Sequence, residues 1–240
     1  THRIVHRKCS RPCKFDCCVN MCKQINQNYV IEDRQYAGDI SGMSWNPRAF
    51  FARDGIKMAR RIALTRKMSS KLDFFALQET HSTPERAAAL QSEFSRHVLF
   101  WSHCSLQKGG LALGVSVDFL QTFSSICWKE VQQGRIGKLE LRGRHGSLDI
   151  YSVYLDDQSA VARRHSMDLM HGSLAPKSSV LSVLLGDFNF VEHKHDRVCK
   201  RTSQFTGSKD SVDAKYFRDR VLQKAGLFEL HQDHHTFEGG

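Results

Sequence analysis

Nowhere in the 240 residues does an apolar run reach the roughly eighteen positions a membrane-spanning helix needs, so no membrane partner is expected. Negative charge is also scarce. Against 35 Lys and Arg stand only 25 Asp and Glu, a formal charge of +10 with a pI near 9.3. The excess is not confined to one end: seven basic against three acidic residues precede residue 37, and 28 against 22 follow. Such a balance favours an anionic partner, although it serves solubility equally well. No internal repeat is visible. Of the eight cysteines only Cys104, Cys127 and Cys199 lie in the body of the chain, which excludes the disulfide framework of a small secreted domain.

What is present divides at about residue 36. Residues 1–36 form a basic extension with Cys9, Cys13, Cys17, Cys18 and Cys22. His2/His6, Cys9/Cys13 and Cys18/Cys22 have metal-compatible spacing. No glycine separates the pairs as in a zinc knuckle and Pro12 interrupts any helix, so a poorly ordered basic extension is favoured over a Zn²⁺ site.

From residue 37 to 240 strand-like and helix-like segments alternate, and 40% hydrophobic content supports one sizeable core. "DISGMSW" reads as a strand, residues 53–68 as a helix with Ile56, Ala59, Ile62 and Ala63 on its buried face, and "LDFFALQ" as a fully buried strand. Thr83-Pro84-Glu85 supplies an N-cap, a proline for the first turn and an acid that complements the helix dipole, for a helix to about Phe94. Strands are expected near 97–102, 110–117, 123–131 and 136–142 and over "LDIYSVYL". A helix near 159–171, a strand at 179–185 and a helix near 211–224 complete the chain. Hairpins mixed with helical crossovers argue for an α/β sandwich rather than a purely parallel sheet.

Four of these strands are apolar along their length and end in a polar group. "GMSW" hands over to Asn46, "DFFALQ" to Glu79, "IYSV" to Tyr154, and "VLSVLLG" to Asp187 and Asn189. Asp and Asn after a strand are common turn formers, and a strand-end Glu is ordinarily just solvated. Together, however, two carboxylates, two carboxamides and a phenol meet the needs of metal-assisted phosphoester cleavage. Mg²⁺ prefers oxygen donors and takes one or two carboxylates while keeping several waters.

"WN" at 45–46, "LQETH" at 77–81, "GGLALGV" at 109–115, "VYL" at 153–155 and "GDFN" at 186–189, in this order, resemble the endonuclease/exonuclease/phosphatase superfamily, which includes the exonuclease III and DNase I types. With Gly134-Arg135 and "DR" at 196–197, the nearest resemblance is to retrotransposon-type endonuclease domains. The resemblance covers roughly residues 37–240 and implies a four-layered α/β sandwich with Mg²⁺, or Mn²⁺, at its edge. It also implies that Glu79 and Asn46 lie at the metal, that Tyr154 touches the scissile phosphate, that Asp187 orients or deprotonates the attacking water, and that Asn189 binds phosphate or the Asp. Arg135, Arg142 and Arg144 are expected to steer the nucleic-acid backbone, and His193 to approach the phosphate.

Family members close the site with a late Ser-Asp-His element. This chain contains no "SDH" and stops at "HQDHHTFEGG", so the domain is expected to be truncated before its final strands. The function implied is a Mg²⁺-dependent, DNA-nicking phosphodiesterase, monomeric and nuclear, in a longer protein with a downstream reverse transcriptase. Two rivals stay open: an inositol phosphate or phospholipid phosphoesterase of the same superfamily, and an inactive, nucleic-acid-binding relic.

Overall fold

Phe74–Gln78 (β2) is apolar at four of its five positions because both of its faces are covered. Phe74 and Ala76 point into one cluster, with Leu113, Val115, Leu139, Leu141, Leu148 and Ile150, while Phe75 and Leu77 point into another. A strand with no solvent face cannot alternate, which is why it reads as a continuous hydrophobic run. The computed structural model describes residues 33–51, 54–191, 197–199, 202, 204, 211–230 and 237–239.

Gly42–Trp45 (β1), β2, His97–Ser102 (β3) and Leu111–Ser116 (β4) form one sheet in the order β1-β2-β4-β3, parallel between β1 and β2 and antiparallel elsewhere. Ser125–Gln132 (β5), Ile136–Gly143 (β6), Gly146–Tyr154 (β7) and Leu181–Asp187 (β8) form the second in sequence order, with β7 and β8 parallel. The sheets face each other across the first cluster. Gly55–Ser69 (α1) and Pro84–Gln91 (α2) cover the first sheet on its other side. Ala160–Ser173 (α4) and Ser211–Phe217 (α5) cover the second, packing Met167 and Met170 against Tyr151 and Val153. A single turn, Val117–Leu120 (α3), follows β4. Arg197–Cys199 (β9) pairs in parallel with Phe237–Gly239 (β10), and Gln223–Ala225 (α6) follows a π-helical turn over Arg218–Leu222. The layers are helix, sheet, sheet, helix. Among the described residues no helix is long and apolar enough to cross a membrane.

The helix starts follow their cap chemistry. Asp54 accepts from the backbone N–H of Ile56 and Lys57, Thr83 from that of Arg86, and Ser159 from that of Ala162.

Three expectations are corrected. The buried face of α1 carries Thr65 and Ser69, with Met58 and Ile62 packed at the core, whereas Ile56 is 68% exposed and Ala59 and Ala63 face solvent. Thr65 satisfies its hydroxyl on the carbonyl of Arg61, so its own burial leaves nothing unpaired. The folded body begins before residue 37: Tyr36 packs on Phe119 and Phe123, its N–H donates to Ser147, and the N–H of Ser147 donates to Arg34. Finally, β8 runs through Gly186 to Asp187 rather than stopping at 185. The histidines and cysteines of residues 1–22, with His193, His195, His234 and His235, lie outside the described residues.

Candidate active site

Parallel pairing decides where the polar strand ends meet. In the register Trp45↔Leu77, β1 and β2 finish side by side, and in the register Tyr154↔Asp187 so do β7 and β8. The stacked sheets bring both finishing edges together. The carboxamide of Asn46, just beyond β1, donates to the Glu79 carboxylate at 2.8 Å and, across the sandwich, to Asp187 at 2.8 Å. Asn46 therefore bridges carboxylates from the two sheets, a role its sequence position did not reveal.

The backbone around these groups is tied down and locally unusual. Glu79, His81, Asn189, Arg48 and Ala49 all adopt positive φ, between 49° and 65°. Each such non-glycine residue costs of order 1 kcal/mol or more and persists only where its surroundings over-determine it. Here they do: the N–H groups of Phe50 and Phe51 donate to the carbonyls of Glu79 and Thr80, and those of Thr80 and His81 donate to Gly110 and Gly109. Gly110 could not carry a side chain, because a Cβ there would lie 2.6 Å from the Thr80 hydroxyl. Gly186 is required more strictly still: at φ 154° a Cβ would sit 1.9 Å from the Val153 carbonyl oxygen. The first residue of "GDFN" thus lets the Asp187 strand close against β7.

Asp187 is oriented from two directions. One oxygen accepts from Asn46 and the other from the backbone N–H of Asn189. The Asn189 side-chain amide donates to the Leu155 carbonyl, and Leu155 N–H donates to the Asp187 carbonyl, so Asn189 serves as a clamp on Asp187.

Tyr154 is 5% exposed. Burial, reinforced by the charge of Glu79 and a hydrogen bond to it, pushes the phenol's pKa well above its ordinary value, so Tyr154 stays a proton donor at any physiological pH. Arg135 lies over its ring at 4.8 Å. That guanidinium is held by Asp156 at 3.0 Å and by the Leu155 carbonyl at 3.3 Å. Arg135 is therefore at the site, but as a support beneath Tyr154 committed to an ion pair. Asp156, missed in the sequence, also accepts from the N–H groups of Gln158 and Ser159 and links this support to the start of α4. Arg61, likewise missed, reaches from α1 to the carbonyls of Ala49 and Arg48 beside Asn46. His81 is half-buried, and desolvation lowers its pKa despite the nearby Glu79, which favours the neutral ring.

Arg142 and Arg144 are not brought to this edge. Arg142 stands at the far end of β6, roughly 23 Å along the strand from Arg135 at about 3.3 Å per residue. There it pairs with buried Asp149 at 2.7 Å, because an uncompensated carboxylate inside the sheet would be costly. Arg144 lies in the β6–β7 hairpin against His145.

The groups that converge are the Glu79 and Asp187 carboxylates with the Asn46 amide nitrogen between them, while the Asn46 amide oxygen accepts from the Arg48 N–H at 2.9 Å. Among the described residues no three His, Cys, Asp or Glu side chains cluster as a metal cage. A hard cation that takes few protein ligands and retains water fits this donor set better than Zn²⁺, which wants a closed set of N and S ligands.

No family sequence profile matches the chain, and no curated protein matches its sequence. Solved structures do resemble it. The AP endonuclease LMAP from Leishmania major is 15% identical with a TM-score of 0.55, over 89% of this chain and 78% of that one. The 3'-5' exonuclease NExo from Neisseria meningitidis is 14% identical with a TM-score of 0.52, over 75% and 70%. A humanized D. rerio TDP2 is 14% identical with a TM-score of 0.49, over 64% of this chain and 63% of that one. The chain thus spans less than two thirds of the D. rerio TDP2 and half of TDP2 from C. elegans. At these identities the likeness to the two nucleases is one of architecture: the chain has the layered α/β sandwich fold of the DNase I-like type.

Proposed function

We propose that this chain is a divalent-metal-dependent phosphodiester hydrolase that nicks DNA, of the retrotransposon endonuclease type. The observation that carries the reading is the Asn46 carboxamide, 2.8 Å from carboxylates contributed by two different sheets. Three strand ends with no sequence proximity are held within hydrogen-bond reach, in a frame whose strained backbone is fixed by neighbouring carbonyls. The motif order "QET" to "GDFN" and a basic body add support.

Mg²⁺, when bound, would polarise a phosphate oxygen and stabilise charge on the leaving oxygen. Glu79 would hold it directly, and Asn46, whose amide nitrogen donates to that carboxylate, would sit beside it. Asp187, clamped by Asn46 and Asn189, aims a water at phosphorus opposite the departing 3′ oxygen and takes its proton as the new P–O bond forms. The P–O3′ bond breaks with its electron pair, and that oxygen takes a proton from solvent. Tyr154, protonated throughout, donates its one O–H to Glu79 in the free protein and would turn it to a non-bridging phosphate oxygen when substrate is bound, where Arg135 behind its ring favours negative charge. DNA as substrate agrees with a nuclear protein acting beside a reverse transcriptase.

Nicking of supercoiled plasmid in Mg²⁺ tests the reading. Nicking is expected to be abolished by EDTA and by Asp187→Ala, with a weaker effect or none on inositol polyphosphates. Full activity of Asp187→Ala removes the assignment, and faster turnover of the inositol phosphates redirects the substrate class.

A further inference from the structure

Outside the site, the outward face of α1 concentrates positive charge that no contact described above uses. The helix bears Lys57, Arg60, Arg61, Arg66 and Lys67 and no acidic residue. Arg61 is turned towards the site, Arg66 is shared with Glu93 at 3.2 Å, and Lys57 lies 3.8 Å from the capping Asp54. Arg60 and Lys67 are exposed on one stripe two turns apart, about 10 Å. Neither they nor Arg96, exposed just before β3, form an ion pair among the described residues. A helix C-terminus carries about half a negative charge, so Arg66 and Lys67 in part serve the helix itself. Arg60 at mid-helix and Arg96 on another element have no such role.

The stripe has a beginning and an end. α1 follows the Arg48–Phe51 segment that borders the site, is about 22 Å long, and touches that segment through Arg61. Its last turn and the start of β3 enclose a cleft of about 430 Å³ lined by Arg66, Lys67, Ser69, Arg96 and His97. The wholly buried Ser69 hydroxyl there has no hydrogen-bond partner. Ile56, Leu64 and Met68 are exposed on the same face, but singly, as on most surfaces.

We infer that this face, with Arg60 and Lys67 on α1 and Arg96 at the cleft, docks a nucleic-acid backbone and extends the track of phosphates beyond the hydrolytic edge. The inference rests on the reading that the substrate is nucleic acid. Long, unpaired cations spaced along a helix recognise phosphates by charge without reading bases.

The test compares two triple variants of the full chain with equal net charge: Arg60→Gln/Lys67→Gln/Arg96→Gln, and a control, Lys177→Gln/Lys215→Gln/Lys224→Gln. Affinity for a 30-base-pair duplex of arbitrary sequence is measured across a salt series without metal. Each phosphate that is no longer neutralised lowers the log–log salt slope by about 0.9, so the first variant should lose about 2–3 from the slope and at least about tenfold in affinity. The control should stay within twofold of wild type, and Arg60→Lys/Arg96→Lys should retain binding. Matching melting curves verify that all variants are folded. Equal behaviour of the two triples, or no duplex binding by wild type, overturns the inference. So does a loss confined to phosphatidylserine vesicles, which would make the occupant a membrane. Binding without metal and nicking with metal are read separately: a folded wild type that binds through α1 but never nicks refutes hydrolysis and keeps this surface.

Discussion

Asp187 and Glu79 illustrate how one side chain's chemistry depends on where its neighbours are fixed. An Asp at the end of an apolar strand is ordinarily a turn former. Here one of its oxygens is held by Asn189 N–H and the other by Asn46, which leaves its direction no freedom. Replacing it by Asn should lower nicking by about a hundredfold to ten-thousandfold, the usual worth of a positioned base, while the melting temperature changes little; single-turnover kinetics check this. Gly186→Ala should act oppositely, on stability. A Cβ 1.9 Å from the Val153 oxygen forces β7 and β8 apart, at a cost of about 3 kcal/mol measurable by urea unfolding. Because the Tyr154 phenol is pushed up by burial and by Glu79, its ionisation should not limit activity below pH 10. A Tyr154→Phe variant should then lose rate by a pH-independent factor between pH 6 and 9.

Elements hold together through faces that sequence periodicity only partly identifies. The apolar spacing of α1 points to Ile56 as core, but the face that is buried carries Thr65 and Ser69, with Met58 and Ile62 packed against the core. Ile56→Gln should therefore change stability by no more than about 0.5 kcal/mol. Phe75→Ala, wholly buried between β2 and the α1–α2 layer, should cost about 3–5 kcal/mol. On the other side, α5 is fastened to α4 by Asp213, buried and paired with Arg163 at 2.6 Å. Removing that carboxylate strands a buried guanidinium, and Asp213→Ala should cost about 3–5 kcal/mol in chemical denaturation.

Across the whole molecule, the second sheet carries a ladder of charge on its helix-facing side. Lys138 lies between Asp149 at 2.8 Å and Glu140 at 3.0 Å, and Lys129 meets Glu140 at 2.7 Å. Burial alone would raise the Glu140 pKa, but hydrogen bonds from Lys129 and Lys138 outweigh it and leave the group below its ordinary 4.5. Between the depressed folded value and 4.5 the unfolded chain binds the extra proton, so stability rises with pH there. The contribution is complete above about pH 4.5 and is lost as pH falls through the folded pKa. Glu140→Gln should flatten the stability profile between pH 3 and 5 and leave its shape above pH 6 unchanged, which denaturant titrations across pH can check.

Residue order alone was enough to mark most of the elements and the polar groups that end four of the strands. Strands buried on both faces announce themselves as apolar runs, caps such as Thr83 and Asp54 mark helix starts, and a polar residue ending each of four apolar strands singles out Asn46, Glu79, Tyr154 and Asp187. Periodicity and spacing are local quantities, and those features are local. It took the packed fold to establish that Asn46 spans two sheets, that Arg135 supports Tyr154 from Asp156, and that Arg142 serves Asp149 at the opposite end of the molecule. Those outcomes depend on which strands pair in parallel and on how two sheets stack, and partners up to 141 residues apart leave no periodic signal in the chain.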